Sequence, residues 1–432
     1  MTVILLAFRN VLLQWKRYML MFFAILIGFA LVAIIHSITY GALETVKTKA
    51  ARYFSGHLSI TGYTGGIQNI SDSDSLVTLL ENSDLPVSTV SPRTVYYRSD
   101  ASLFFNGESI RQRRLIGIEF NDEYDELSQL DFLEGSIDEL LANDDSKGIL
   151  ISEVAARILG ARIGDDITLY MTTDTGQYNS ATLLVRGIFR ETSLFGYVAY
   201  MNRYDLNSLI LRDRDYATDI AVYTDRGSEI DSLEEEIRTV LADQYLLLPP
   251  LDNKADLSLK LFNLEDKSSQ YLVPLTLDIH LDKITTIMDA VKIVTWFIEV
   301  LFMLIIMVGI LNTYRVLVYE RTKEIGTLRA IGMTQLEIRI MFLSEAFFLD
   351  FGATIAGFIL FRVILVALGK MDISSIPGSG LFSEKGFLVP YADFTALMIT
   401  ALLMLAAVLI AAWSPAENAS RLSPVDAMRQ EN

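Results

Sequence analysis

No cysteine occurs in the 432 residues, and histidine appears three times, at His36, His57 and His280, far apart in the chain. A disulfide scaffold, a thiol nucleophile and a Cys/His zinc site are thereby excluded, and no metal ligands are assigned. Basic residues are in short supply: 36 Lys and Arg stand against 53 Asp and Glu, a net charge of −17, which argues against nucleic acid as a partner. The pattern Gly-x4-Gly-Lys-Ser/Thr is missing from these residues, so they lack the loop with which P-loop proteins cradle nucleotide phosphates. No catalytic residue and no cofactor is assigned to the chain.

What the chain has in quantity is apolar residues, 51% of the total, gathered into four runs. The first, Tyr18 to Tyr40, is 23 residues without a charge. At ~1.5 Å per residue it reaches ~34 Å, enough to cross a bilayer core. Further runs at 291–318, 341–368 and 392–413 bring the spans to four, which puts both termini on one side. The first run is long for a secretory signal, and Gly41-Ala42-Leu43-Glu44 after it holds no small-x-small cleavage pattern, so it reads as an uncleaved anchor. Charge sets the direction. The arm 1–17, the loop 319–340 with its flanking Arg315, and the tail 414–432 hold ten basic and six acidic residues, whereas 41–289 hold 22 basic and 41 acidic. The basic segments are therefore expected in the cytoplasm, with 41–290 and the short loop 369–391 on the outer side of the membrane. Leu5, Phe8, Leu12 and Trp15 recur at helical spacing in the arm, which suits a helix lying in the headgroup plane.

Residues 41–290 read as an α+β domain. Strands are expected at 56–61, 94–98, 102–105, 115–118, 149–152, 167–171, 183–189, 198–201 and 220–223, and helices at 153–159, stopped by Gly160, and 229–241, introduced by Ser228. Two subdomains are expected, with 122–145 and 213–219 as candidate joints, although each taken singly reads first as a solvated loop. Glu44 to Phe54 and Leu281 to Ala290 adjoin the first two spans without a Gly or Pro break, so both spans are expected to continue outward as helical stalks.

The loop between spans two and three carries the densest pattern. In Glu320-Arg321-Thr322-Lys323-Glu324-Ile325-Gly326-Thr327-Leu328-Arg329-Ala330-Ile331-Gly332, the residues Ile325, Leu328 and Ile331 make one apolar stripe, Glu320, Lys323 and Glu324 a charged face, and Gly332 a stop. Thr334 and Glu337 form a capping box that starts the next helix. Spacing alone favours an interfacial helix with no partner, while a short amphipathic helix set between two spans is also suited to receive force from a partner and pass it to both.

Together with Gly309-Ile310-Leu311-Asn312, Glu345-Ala346, and the tail from Pro415-Ala416 to Arg421-Leu422-Ser423-Pro424-Val425-Asp426-Ala427-Met428-Arg429, this loop closely resembles the MacB/FtsX-like permeases of ABC transporters. Weaker matches lie at Ser91-Pro92-Arg93, Gly117-Ile118, Gly164-Asp165 and Gly187-Ile188-Phe189. The resemblance implies four spans with one large insertion, a coupling helix at Glu320, Arg321, Lys323, Glu324, Ile325, Gly326, Leu328, Arg329, Ala330 and Gly332, with Pro-initiated turns in the tail beside it. It also implies a separate ATPase dimer that binds ATP and Mg, and a second permease subunit, identical or homologous. Size, layout and Gly56-His57-Leu58-Ser59-Ile60 are similar to the lipoprotein-releasing, LolC/LolE-type branch. That likeness implies lipoprotein or other amphiphile cargo extracted from the outer leaflet, with a periplasmic carrier or adaptor; mechanotransmission to an external enzyme and MacB-like efflux are the alternatives.

Charges within the spans need partners or water. Glu299, Glu345, Asp350 and Arg362 each cost ~3 kcal/mol on insertion scales if left bare. Glu345 is expected to cap or snorkel, and Glu299 to pair with a neighbouring subunit or line a wet cavity. Met19, Met21 and Phe22 of span one, and Trp296, Glu299, Phe302 and Met303 of span two, are the residues expected to line a substrate cavity between two permease subunits.

Overall fold

The computed structural model describes residues 2–98, 100–141, 147–190, 198–224, 230–264, 266–374, 376 and 379–422. Among them, four helices are long and apolar enough to cross a membrane: Trp15–Ala50, Asp282–Glu320, Gln335–Leu368 and Phe394–Ser420. The first two have 36 and 39 residues. Those lengths are ~54 and ~58 Å, far beyond a ~30 Å hydrocarbon core, so their charged ends extend past the apolar middles without a break. The chain divides into two units, residues 1–44, 287–375 and 382–432, and residues 45–286 with 376–381.

In the first unit the spans are held by a thin apolar core. Tyr18, Met21, Ile25 and Phe29 of the first helix meet Ile310, Tyr314 and Leu317 of the second, Phe342, Leu349 and Phe361 of the third, and Met404, Val408 and Ala412 of the fourth. Close approach requires small residues. A Cβ on Gly357 would lie 2.8 Å from the Leu26 carbonyl oxygen, so the third helix crosses the first where only glycine fits. The arm forms a helix, Thr2–Leu13, whose Ala7 is buried while Leu5, Phe8, Leu12 and the following Trp15 are exposed. The stripe thus faces outward, as an interfacial helix needs. The fourth helix corrects the expected boundary: it continues through Pro415 to Ser420 instead of ending at Trp413, and Pro415 starts no turn. The ring removes one backbone bond, but Ala416, Ala419 and Ser420 are buried and Glu417 pairs with Arg339 and Arg421, which offsets the loss. The closing motif from Ser423 to Arg429 lies outside the described residues.

The second unit is a mixed sheet with helices. One hydrogen-bonded path runs through strands beginning at 246, 270, 58, 219, 89, 114, 198, 148, 178, 166, 102 and 108. Alternation explains its two-sided burial. Leu115, Ile149, Ile151, Ala199 and Met201 enter one core, and Ile116, Leu150, Val198 and Tyr200 the core on the opposite face. The expected strands are present, several lengthened, though the first begins at Leu58 and the second ends at Tyr96, two residues short of expectation in each case, and Glu153–Leu159 is a helix with Gly160 in the left-handed conformation. The helix read as 229–241 spans Ile230–Ala242, and Ser228, read as its start, lies outside the described residues. Strands Glu108–Arg111 and Gln270–Thr276 and helices Ser73–Glu81, Arg203–Ile210 and Lys254–Phe262 were not legible from pattern.

The joints also differ. Strand Thr89–Tyr96 pairs through Thr89 to Arg93 with Asp219–Tyr223, and through Thr94 to Tyr96 with Leu115 to Gly117, so one strand serves two half-sheets. The stretch 213–219 carries the chain back between them, whereas 122–141, the described part of the other candidate, is no joint. Its helix Tyr124–Leu127 and strand Phe132–Gly135 stay with one half, the strand pairing with Gly187 to Phe189.

Two buried arginines staple the halves. Arg93 Nε donates to Glu123 Oε1 at 2.7 Å and Arg93 Nη2 donates to Glu123 and to the Tyr223 hydroxyl. Arg203 donates to Ser73 Oγ at 3.0 Å and to Glu119. Arg93 and Glu123 are both 1% exposed, so the pair depends on its geometry. Residues 45–286 expressed alone are expected to unfold cooperatively, and Glu123→Leu to lower their stability by about 3 kcal/mol by stranding the Arg93 charge. Urea denaturation measures both; a midpoint unmoved by Glu123→Leu rejects the role given to the pair.

Candidate functional site

Between the second and third spans the helix breaks at Arg321, and a helix of nine residues, Thr322–Ala330, begins. Its end is a Schellman motif: Gly332 N–H donates to the Arg329 carbonyl and Met333 N–H to the Leu328 carbonyl, both at 3.1 Å. Gly332 sits at φ +108°, a conformation a side chain would strain. Thr334 and Glu337 then make the full capping box that opens the third span, as their spacing predicts. Two caps back to back produce the sharp corner.

Arg321 does not lie on the surface of this corner. It is 1% exposed, beneath it. Its Nη1 donates to Glu345 Oε2 at 2.7 Å and to the Tyr18 hydroxyl at 2.9 Å, while Nε and Nη2 reach the two oxygens of Glu324 at 2.9 and 3.1 Å. Glu345, wholly buried, also accepts from Tyr18 at 2.7 Å and from Asn10 at 3.0 Å. The Phe342 ring lies 5.1 Å from the guanidinium, and Tyr314 donates to the Phe342 carbonyl at 2.8 Å. Burial opposes the Arg321 charge, but the bonds to Glu324 and the field of Glu345 outweigh it and hold its pKa above the ordinary value. Those same bonds from Arg321 hold the Glu324 carboxyl below its usual range. The cluster binds the arm (Asn10), the first span (Tyr18), the third span (Glu345) and the short helix (Arg321, Glu324) into one charge-assisted network.

On the short helix itself Ile325 and Gly326 are buried, Glu324, Leu328 and Arg329 half-buried, and Glu320, Lys323, Ala330 and Gly332 exposed. The apolar stripe is shorter than expected, because the helix ends at Ala330 and leaves Ile331 79% exposed. Tyr319, Ile331 and Leu336 thus make an exposed apolar rim around the corner.

The residues expected to line a substrate cavity separate into two groups. Met21 is buried in the helix core, Phe22 packs against it and Met19 is exposed near the Arg321 network. Trp296, Glu299 and Met303 instead line a cavity of about 340 Å³ at the other end of the first unit, together with His36, Tyr40, Tyr391 and Asp393; Phe302 is half-buried and lies outside that lining. Met19 and His36 are seventeen residues apart on one helix, ~25 Å along its axis. One chain does not bring them together. Glu299 finds an intramolecular partner that the sequence did not reveal, His36, whose Nδ1 lies 3.2 Å from Glu299 Oε1. Tyr18, Asn10 and Asp393 were also missed. A carboxylate at Glu345 near the end of an otherwise mostly apolar span is itself a signal that a donor must be close, and Arg321 and Tyr18 border the same end.

Residues 18–240 match the model of the MacB-like periplasmic core domain, and 296–424 that of the FtsX-like permease C-terminal region. Among curated relatives, the ABC transporter permease YtrF of Bacillus subtilis is 27% identical over 35% of each chain. The macrolide export ATP-binding/permease protein MacB of Chlorobaculum tepidum is 33% identical over 28% of this chain and 17% of its own. The uncharacterized ABC transporter permease MJ1507 of Methanocaldococcus jannaschii is 24% identical over 53% of this chain and 52% of its own. The matches thus span from about a sixth to about half of the relatives' lengths. The crystal structure of the periplasmic region of MacB from Actinobacillus actinomycetemcomitans covers 54% of this chain and 95% of its own at 16% identity and a TM-score of 0.32.

The network predicts a stability effect. Glu345→Leu leaves part of the buried Arg321 charge unpaired and is expected to cost about 3 kcal/mol, whereas Glu345→Gln, which keeps a hydrogen-bonding oxygen, costs less. Thermal unfolding of the purified full-length protein in detergent checks the order; equal melting temperatures for Glu345→Leu and the parent reject it.

Proposed function

The chain belongs to the MacB/FtsX-like family of ABC transporter permeases, and from that premise we propose that it is the membrane subunit through which a separate ATPase drives movement of an amphiphilic cargo. The observation that carries the reading is the Arg321 network. A push on Thr322–Ala330 moves a rigid, buried charge cluster and so reaches the arm and the first and third spans together. The exposed rim of Tyr319, Ile331 and Leu336 beside Glu320 and Lys323 offers the ATPase an apolar contact with a charged border. In this reading the short helix lies in the cytoplasm and residues 45–286 outside, as the excess of basic residues on one side and of acidic residues on the other supports. A dimer of the ATPase binds ATP and Mg, and this chain works beside a second permease, identical or homologous. The largely exposed apolar faces of the second, third and fourth spans suit burial against lipid or such a partner.

Lipoproteins, drawn from the outer leaflet and passed to a periplasmic carrier or adaptor, are the cargo we favour, on the sequence likeness to the lipoprotein-releasing branch. Export of a small amphiphile is the second reading, favoured by the relatives that are named macrolide exporters. In both, the first and second helices, continuous past the bilayer thickness, carry the motion to the folded unit.

The coupling step is open to direct test. Gly326→Pro removes a backbone donor in the interior of the short helix and costs it ~3 kcal/mol; Gly326 is buried there, and Leu328 packs against the core. Gly326→Pro and Leu328→Asp are expected to reduce cargo-stimulated ATP hydrolysis of the reconstituted complex at least tenfold while membrane insertion persists. Unchanged stimulation in both variants overturns the reading. Adding a purified lipoprotein or a macrolide as the stimulating cargo separates the two cargo classes.

A further inference from the structure

The cavity formed by the first, second and fourth spans has a composition that the coupling mechanism does not use. Six of its lining side chains are aromatic or acidic: His36, Tyr40, Trp296, Glu299, Tyr391 and Asp393. Among the described residues, no Lys or Arg lines it. Two carboxylates face at most one positive charge, that of His36, so the cavity is negative or neutral by composition. The His36 and Tyr40 rings stack at 4.1 Å between centroids and 20° between planes, which makes one flat aromatic wall. Glu299 Oε1 is engaged by His36 Nδ1. Asp393 Oδ1 accepts from Thr395 N–H at 2.9 Å, capping the fourth span and fixing that carboxylate at the rim. Each acid is bonded through one oxygen, and the described residues give its second oxygen no partner. Val300, Met303, Ile399 and Leu403 extend the lining as an apolar strip. The volume, about 340 Å³, falls in the range of small-ligand sites.

We infer that this cavity binds the ammonium head of an amphiphile. Aromatic faces attract a cation through their ring quadrupoles, and a carboxylate beside them adds a charge that a partly dehydrated ammonium can meet. The apolar strip takes the first methylenes of the tail, each contributing ~0.8 kcal/mol when buried. An anionic head would meet Glu299 and Asp393 without a compensating Lys or Arg among the described lining residues, and a neutral sugar head could donate hydroxyl hydrogens to these acids but would leave their charge unbalanced, which an ammonium does not. The inference concerns binding alone. It holds whether the ligand is transported cargo or a resident aminophospholipid, and it does not require the coupling mechanism proposed above.

Dodecyltrimethylammonium is the probe. The full-length protein, with Trp15→Phe and Trp413→Phe so that Trp296 is the single remaining tryptophan, is purified in neutral detergent and its fluorescence followed during titration. The expected result is a saturable change with dodecyltrimethylammonium, absent or at least tenfold weaker with dodecyl sulfate, and an apparent affinity reduced at least tenfold by Glu299→Gln. Asp393→Asn, which keeps the helix cap, gives an independent reduction should Glu299→Gln fail to fold. Equal binding of the sulfate, or full binding by both carboxamide variants, overturns the inference. Displacement by short-chain phosphatidylethanolamine but not by phosphatidylglycerol identifies a lipid source; retention of the probe against both, with its carboxylate dependence intact, identifies a soluble cationic amphiphile. Equal displacement by phosphatidylglycerol overturns it. Measured apart from ATP hydrolysis, these outcomes are independent of whether Gly326→Pro uncouples the complex.

Discussion

A carboxylate sealed inside an apolar helix bundle has to be neutralised where it stands, and Glu345 imposes that requirement on everything around it. It is wholly buried, and its two oxygens are met by Arg321, Tyr18 and Asn10. Arg321 in turn needs more than one acceptor, and Glu324 supplies both of its oxygens from the first turn of the short helix. The corner between the second and third spans is therefore positioned by charge, with the Schellman motif and the capping box fixing where the backbone turns. Breaking one member exposes the others to an uncompensated buried charge, which is costly in a low-dielectric interior.

The two ends of the membrane unit use polar groups differently. At the corner, the buried charges satisfy one another and leave little room for a ligand. At the opposite end, the acids Glu299 and Asp393 sit among exposed or half-buried aromatic rings around a cavity, with one oxygen of each used within the chain. A fully satisfied network gives rigidity. A partly satisfied one, open to a cavity, retains bonding capacity for something else. This contrast distinguishes a transmitting element from a binding one.

The folded unit of residues 45–286 follows a related logic. Its two half-sheets share the strand Thr89–Tyr96, and the buried pair Arg93–Glu123 and the bond from Arg203 to Ser73 tie one half to the other. A hinge made of loose loops would let the halves move apart. A shared strand with a desolvated ion pair across it resists that, because separating the halves would strand a buried charge as well as break ladder bonds.

Much of the architecture was legible before any coordinates. Apolar runs longer than ~20 residues have few alternatives to a membrane span, alternating strands such as Ile149 to Ser152 state their period, and the Gly332 stop and the Thr334/Glu337 box depend on neighbours a few residues apart. The α+β insertion between the first two spans was legible for the same reason, since local periodicity and local caps carry it. What the sequence left undecided was where polar side chains point and what they meet. Arg321 read as part of the coupling helix and lies buried beneath it; Glu299, read as pairing with a neighbouring subunit or lining a wet cavity, lines a cavity and is met there by His36 of its own chain; Met21 read as a cavity wall and is core. These outcomes rest on pairs separated by 24, 263 and 327 positions, as in Arg321–Glu345, His36–Glu299 and Tyr18–Glu345. Periodicity specifies which face of one helix is apolar, but the rotation of that helix against its neighbours is set by packing, and only packing decides which buried charge meets which donor.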